Sequence, residues 1–340
     1  MKFLINFTHY LCKGKIETGY TKNERGCDMK SYIRKRLLIS VFTIFAITLI
    51  LFILLHIMPG TPFNDEKLTY DQKEIFFRKY GLDKPIYTQF FIYIKNILHG
   101  DFGTSYSVSK NTSISILLKT CLPTSFAIGL QAVVIGTLIG VAIGILVALN
   151  KKSVWNTVAT IIAVLGVSIP SYVFALFFSY MFGYKAKIFP LFYQTNNMFM
   201  STVLPVISLS IYVAAFMIRF TRNTMLEILD SEYILFAKSK GLPKRKIIMN
   251  HTLRNALIPI VTVIGPLLVW LMSGSVIIEN IFAIPGIGKL LVTAIQSNDY
   301  NVIIAICLIY SVMYILAMII IDLLYIVIDP RIRIVKVVEN

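Results

Sequence analysis

The sequence predicts an all-α protein that crosses a membrane six times, with both termini in the cytoplasm. Of its 340 residues, 56% are hydrophobic and 15% are charged, whereas ordinary soluble domains are about 25% charged. The apolar residues collect in stretches close to or above the ~20 residues that a helix needs to cross a bilayer. These stretches lie at 37–57, 122–149, 156–183, 201–217, 257–278 and 302–328.

Basic residues set the predicted orientation. The segments 1–36, 150–155, 218–256 and 329–340 hold 22 Lys and Arg residues, and the alternate segments hold 11. Cytoplasmic loops of membrane proteins carry the excess of Lys and Arg, so the first set is predicted to be cytoplasmic. The net charge of +16 is therefore interpreted as a topology signal and not as a nucleic-acid-binding surface.

The segments before the second span have distinct characters. MKSYIRKR at 29–36 is typical of a natural start, so residues 1–28 are expected to be a non-structural extension or to follow a misplaced start codon. The loop at 58–121 is predicted to lie outside the cell, with short helices at 71–79 and 85–98. The second helix has one apolar side, which either lies in the membrane interface or packs on neighbouring spans. The predicted divisions are 1–30 for the extension, 31–57 for the first span, 58–121 for the loop, 122–330 for the core and 331–340 for the tail.

Within the core, local signals indicate how the spans are built. Pro170 interrupts the long third span and predicts a kink or a broken helix there. Glycines repeat every four residues at 136, 140 and 144, a spacing that lets two helices approach closely. The four cysteines are scattered without a CxxC pair, so they predict neither a disulfide framework nor a metal site.

The segment at 222–256, between spans four and five, is the most informative. Residues 227–240 have helical composition, with acidic residues near the start and lysines near the end, as the helix dipole favours. Gly241 suits the left-handed position after a helix, and Pro243 suits the first turn of the next helix. The segment is therefore predicted to form a helical hairpin. It is either a docking element or a solvated loop.

This hairpin resembles the EAA loop of binding-protein-dependent ABC importer permeases. Ala237 and Gly241 match the second Ala and the Gly of that motif, while Leu235 and Phe236 stand in place of its Glu and first Ala. Further matches are similar to the oligopeptide, dipeptide and nickel branch, and to its B-type permease. They are YIRKRLL at 32–38, MPG at 58–60, YGLDKP at 80–85, GDFGTS at 100–105, LPT at 122–124, SIPS at 168–171, HTLRNALIP at 251–259, ENIFAIPGIG at 279–288 and DPRIR at 329–333.

The resemblance implies a role in membrane transport without catalytic chemistry in this chain. A second permease of the C-type would complete the pathway, two ATPase subunits would bind ATP beneath it, and an external binding protein would deliver substrate. No cofactor, metal or nucleic acid is implied for this chain. The residues to which the resemblance assigns ATPase coupling are Glu232, Tyr233, Ala237, Lys238, Gly241 and Leu242.

Charged residues near membrane depth form two further candidate sites. Asp322, in span six, is expected to pair with Arg219 or Arg222 at the end of span four, because ionisable groups in a membrane are seldom unpaired. Glu279 closes span five beside Pro285 and Gly286, a candidate external gate or binding-protein surface. The segment GIGK at 286–289 resembles a phosphate-binding loop only superficially, because position 283 is not Gly and position 290 is not Ser or Thr.

Two alternatives to a peptide importer permease remain. The first is a nickel or metal-chelate importer permease of the same family, because selectivity in that family lies largely with the binding protein. The second is a stand-alone secondary transporter, which would need ionisable residues along several spans for ion coupling, and the sequence has few. A purely structural membrane factor would not require the hinged hairpin.

Overall fold

The computed structural model describes residues 29–57, 85–150, 153–272 and 276–328, which form helices joined by short loops. A π-helical turn at Ser179–Lys185 follows the helix at Ser171–Phe178, and a second at Ile247–Leu253 joins the helix at Lys244–Lys246 to the helix at Arg254–Met272. The helices are α1 (Met29–Ile57), α2 (Ile86–Leu98), α3 (Ile114–Leu149), α4 (Val154–Ser168), α5 (Ser171–Phe178), α6 (Met198–Leu229), α7 (Glu232–Ser239), α8 (Lys244–Lys246), α9 (Arg254–Met272), α10 (Val276–Ile281), α11 (Ile287–Gln296) and α12 (Tyr300–Ile328).

In the described part of the chain, the predicted count of six spans is reached when the bent pair α4 and α5 is counted as one span. Helices α1, α3, α6, α9 and α12 each contain a stretch long and apolar enough to cross a membrane, and α4 and α5 meet the same criterion together. The axes of α4 and α5 meet at 94°. The predicted break at Pro170 is also confirmed, since proline disfavours a helical conformation in the residue before it and has no N–H to continue the helix.

Helices α3 and α6 form the most extensive helix pair. A Cβ atom on Gly140 would lie 2.5 Å from the Cβ of Met217, and one on Gly144 would lie 2.7 Å from the Cβ of Thr221. Such separations are well inside van der Waals contact, so only glycine allows the two backbones to come this close. The predicted glycine spacing therefore serves packing within the chain.

Two hydrophobic cores hold the bundle together. One lies between α3, α6, α9 and α10, and includes Val213, Met217 and Phe282. The other lies toward the end of the bundle opposite α7, where α1 and α2 meet the start of α3, α11 and the first turns of α12. The bundle is therefore packed over its length, with a separate small hairpin at one end.

Helix α2 packs with one side on the first span. The buried ring of Phe90 makes edge contacts with Phe45 and Phe52 of α1, at centroid distances of 5.7 and 5.4 Å. Its other side leaves Phe91 and Leu98 exposed, and such an apolar face also suits the membrane interface. The structure thus shows the predicted packing of 85–98 on a neighbouring span, while its placement in the membrane interface stays a prediction. The predicted helix at 71–79 lies outside the described residues.

Candidate functional site

The hairpin formed by residues 232–253 begins where α6 ends. The sequence predicted one helix over 227–240, but the structure breaks it between Leu229 and Glu232. Ser231 takes an extended conformation at φ −75° and ψ 152°, and its hydroxyl donates to the Ile228 carbonyl. Serine competes in this way for backbone groups at helix ends, so α7 is a separate helix that can take its own direction.

The turn of the hairpin matches its prediction. Gly241 has φ +73°, in the left-handed region, and its N–H donates to the Lys238 carbonyl at 2.9 Å. The Leu242 N–H donates to the Ala237 carbonyl at 3.4 Å, and Pro243 then precedes α8. These bonds satisfy carbonyls at the end of α7 and turn the chain back toward the bundle.

The inner side of the hairpin is a small core of its own. Ile234 and Ala237 of α7 are buried against Ile247, and Ile228 and Leu242 pack around them. Ala237 is 6% exposed, so its methyl group contributes to closing the hairpin. The conformation of the hairpin is thus fixed by packing from within as well as by the turn.

The outer side of α7 is apolar and exposed. Leu235 is 67% exposed and Phe236 is 60% exposed, while the ammonium group of Lys240 lies 4.4 Å from the centre of the Phe236 ring. Tyr233 is 43% exposed, and its hydroxyl oxygen accepts a 2.9 Å hydrogen bond from Asn255. Leu235 and Phe236 are not among the residues to which the resemblance assigns coupling. Two apolar residues within a charged segment were the signal that could have identified them.

Glu279 forms a buried junction between three helices. Its Oε1 atom accepts a 2.8 Å hydrogen bond from the Ser125 hydroxyl of α3, and its Oε2 atom accepts one of 2.7 Å from the Lys289 N–H. The Ser125 oxygen in turn accepts from the Ile287 N–H at 2.9 Å. The carboxylate therefore caps the N-terminus of α11, where the helix dipole favours a negative charge.

The predicted grouping of Glu279 with Pro285 and Gly286 is present as a tight turn. A Cβ atom on Gly286 would lie 2.2 Å from the Cδ atom of Glu279, so a larger residue at this position requires the carboxylate or the turn to move. Burial raises the pKa of the Glu279 carboxyl above its usual value, while the hydrogen bonds from Lys289, Ser125 and Gly288 and the charge of Lys289 oppose this shift.

A second buried carboxylate, which no sequence motif marks as a site, lies at the start of α12. Asp299 is fully buried, and its Oδ2 atom accepts a 2.6 Å hydrogen bond from the Ser105 hydroxyl. The same oxygen accepts from the N–H groups of Tyr106, Ser107 and Val108, at 2.9, 2.9 and 3.2 Å. The motif GDFGTS thus leads into a loop that Asp299 holds against α12.

Of the predicted membrane ion pair, the structure describes the two arginines. Arg222 donates from Nε to Asn156 of α4 at 3.2 Å and from a terminal nitrogen to Asn223 at 3.3 Å. Arg219 is exposed. The side chain of Asp322 lies outside the described part of the structure, so its pairing with either arginine stays a prediction.

The membrane-spanning helices with a helical hairpin at one end fit the arrangement that the resemblance predicts for a transporter membrane subunit. Residues 140–334 match the family described as the binding-protein-dependent transport system inner membrane component, and residues 29–140 match its N-terminal component. The chain belongs to this family of membrane transport permeases.

Curated relatives match nearly the whole chain. The dipeptide transport system permease proteins DppB of Lactococcus lactis and Bacillus subtilis are each 39% identical, over 90% and 91% of this chain and 100% and 99% of their own lengths. The oligopeptide transport system permease protein OppB of Escherichia coli K12 is 35% identical over 90% of this chain and all of its own.

One solved structure shares the helical core. A chain of the MetNI methionine ABC transporter, in an inward-facing conformation, superposes with a TM-score of 0.52 at 17% sequence identity. The match covers 63% of this chain and 97% of that chain. It shows that the two chains share a fold.

Proposed function

We propose that this chain is the transmembrane permease subunit of an ATP-binding-cassette importer of peptides. Family membership supports the permease role, and the names of the dipeptide and oligopeptide permeases that match at 35–39% identity support the substrate class. These relatives favour peptides over nickel or a metal chelate. Dependence of the family on a binding protein also argues against a stand-alone secondary transporter.

The observation that carries the coupling role is the exposed apolar face of α7. Leu235 and Phe236 project from a hairpin whose inner side is already filled by Ile234, Ala237 and Ile247. A rigid helix that presents two large apolar side chains fits a groove on a partner protein. We infer that this face contacts an ATPase subunit, with Glu232, Tyr233 and Lys238 around it.

The remaining predicted coupling residues support the hairpin from within. Ala237 and Leu242 belong to its core, and Gly241 sets the angle between its arms. Binding of ATP would bring the two ATPase subunits together. Their closure would push the hairpin as one rigid body and reorient the spans. In this role the small core of the hairpin matters as much as the contact face, because a flexible hairpin would transmit little of the ATPase movement to the spans.

Both termini are proposed to be cytoplasmic, which places the hairpin on the ATPase side. This orientation rests on the excess of Lys and Arg in the segments at that end. A second, C-type permease would complete the pathway, and an external binding protein would deliver the peptide. Glu279, Pro285 and Gly286 would then lie toward the external half of the bundle, where we propose that their junction forms part of the outer gate.

Crosslinking in the assembled transporter tests this function. Single cysteines at Phe236 and Lys238 are expected to crosslink to an ATPase subunit, whereas a cysteine at the buried Ile234 serves as the unreactive control. In proteoliposomes, Phe236→Ala is expected to lower peptide uptake at least about tenfold while ATP hydrolysis continues. The proposal would be abandoned if positions 236 and 238 never captured an ATPase, or if labelling placed them outside the cell.

A further inference from the structure

An open cleft of about 690 Å³ lies between the hairpin and the ends of α3 and α6. It is distinct from the exposed apolar face of α7. One part of its lining is apolar and consists of Ala148, Leu149, Leu229, Leu242, Ile247 and Ile248. The other part is polar and consists of Lys238, Lys244, Asp230, Asn150 and Ser153.

The position of this cleft follows from the pairing of α3 with α6. Gly144 packs against Ile218 and Thr221, so these residues share one level of the bundle. From Gly144, α3 continues to Leu149 at the cleft, an advance of about 8 Å. The charged part of α6 begins at this same level, at Arg219, which lies between Ile218 and Thr221 in the chain. The cleft therefore lies beyond the apolar stretch of α6, on the side where a headgroup layer of about 5–8 Å begins.

The charges of the lining favour an anionic ligand. Lys238 comes from the first arm of the hairpin and Lys244 from the second, and both residues are exposed. Asp230 supplies a single negative charge against them. Lysine side chains of this kind lay their stems along apolar surface and direct the ammonium group to the polar layer. An amphiphile with an anionic head fits both halves of the lining.

We propose that this cleft binds the headgroup of an anionic phospholipid. The phosphate would lie between Lys238 and Lys244, and the glycerol and upper acyl carbons would contact the apolar side of the cleft. Basic pockets between membrane helices are suited to such headgroups. A lipid bound here would brace the hairpin against α3 and α6. This site requires only that the bundle spans a bilayer. It shares Lys238 with the proposed ATPase contact, so its first test is placed on Lys244, which has no part in that contact.

Photocrosslinking tests the site. The full-length chain, with any partner subunits that co-purify, is reconstituted in nanodiscs that carry a photoactivatable phosphatidylglycerol or the matching phosphatidylcholine. Phosphatidylglycerol is expected to label the segments 148–150 and 242–248 in preference to phosphatidylcholine. Loss of one lysine contact corresponds to about a fivefold loss of binding, so Lys244→Ala should lower this labelling about fivefold, and Lys244→Arg should retain it.

The matched control is Lys246→Ala, which removes another exposed charge from the same short helix but lies outside the cleft lining. It should change labelling less than twofold. Lys238→Ala provides a second test if Lys244→Ala proves unstable in a thermal melt. Equal labelling by the two lipids, or an equal loss in the Lys244 and Lys246 variants, would overturn the proposal. ATPase crosslinking from Phe236 is measured separately, so failure of one proposal leaves the other intact.

Discussion

The hydroxyl of Ser125 donates a 2.8 Å hydrogen bond to Glu279, a residue that lies 154 positions later in the chain. The same hydroxyl oxygen accepts the N–H of Ile287, so one serine links the wall of α3 to the first turn of α11. Any movement that separates α3 from α11 must break this junction. Its strength is therefore expected to depend on the protonation state and on the size of the groups within it.

Glu279→Gln is expected to flatten the pH dependence of stability. Burial raises the pKa of Glu279 in the folded protein, so the folded state binds its proton more tightly than the unfolded state does. The stabilisation associated with this proton is present below the unfolded pKa and is lost as the pH rises through the raised folded pKa. The melting temperature of the wild type should therefore fall as the pH rises through this window. The Gln variant keeps a hydrogen-bond acceptor but does not titrate, so its melting temperature should not show this fall. An unchanged slope in the variant would contradict this origin.

Gly286→Ala is expected to destabilise the same junction by steric overlap. Its Cβ would lie 2.2–2.4 Å from the carboxyl atoms of Glu279, so either the turn or the carboxylate must move. Overpacking of this kind costs about 1–3 kcal/mol. A double variant that adds Glu279→Ser removes the clash, so its loss should be smaller than the sum of the two single losses. If thermal unfolding shows that the stability losses of the two single variants add up in the double variant, the residues at 279 and 286 are not in contact.

Asp299→Ala is expected to release the loop that precedes α3. The change leaves one hydroxyl and three N–H groups without their acceptor, and each orphaned group costs about 1–3 kcal/mol if it stays buried. The loop should open to water, and trypsin should cleave after the exposed Lys110 at least about tenfold faster. Asp101→Asn is the control, because Asn can still accept from the Gly103 N–H. Equal cleavage rates in the two variants would show that Asp299 does not hold this loop closed.

The sequence predicted the features that depend on local chemistry. Apolar run length predicted the spans, Pro170 predicted a kink or a break without its angle, and Gly241 predicted the left-handed turn, because each is decided by a few neighbouring residues. Even here, end positions differed. Helix α6 runs to Leu229, well beyond the predicted end at 217, since polar residues after Arg219 end the apolar run without ending the helix.

Contacts between distant parts of the chain could not be predicted in this way. Ser105 and Asp299 are separated by 194 positions, and nothing near Asp299 in the sequence marks it as the acceptor for a loop before α3. The directions of the α7 side chains are a second case. Ala237 faces inward and Phe236 faces outward because of how α7 lies on Ile247, and this angle depends on packing across the whole hairpin.

Gly140→Leu is expected to separate α3 from α6. Its Cβ would lie 2.5 Å from the Cβ of Met217 and 2.7 Å from the carbonyl oxygen of Ala214, and neither atom is the end of a flexible side chain. Because α3 and α6 form the most extensive helix pair, the melting temperature should fall by several degrees. Ala142→Leu adds bulk to the exposed side of the same helix and should be tolerated. Equal melting temperatures for the two variants would refute the close contact.

Gly241 offers a test that separates backbone conformation from charge. Nothing lies within 4 Å of a Cβ built at this position, so substitutions meet no steric barrier, and only the left-handed conformation at φ +73° restricts them. Ala is penalised there by about 1–2 kcal/mol, whereas Asn and Asp visit this region more readily. Gly241→Asn should therefore keep most peptide uptake in proteoliposomes.

Gly241→Asp places a negative charge beside Lys238 and Lys240, and should leave membrane insertion intact while it uncouples uptake from ATP hydrolysis. Normal uptake by the Asp variant would count against a coupling role for the hairpin.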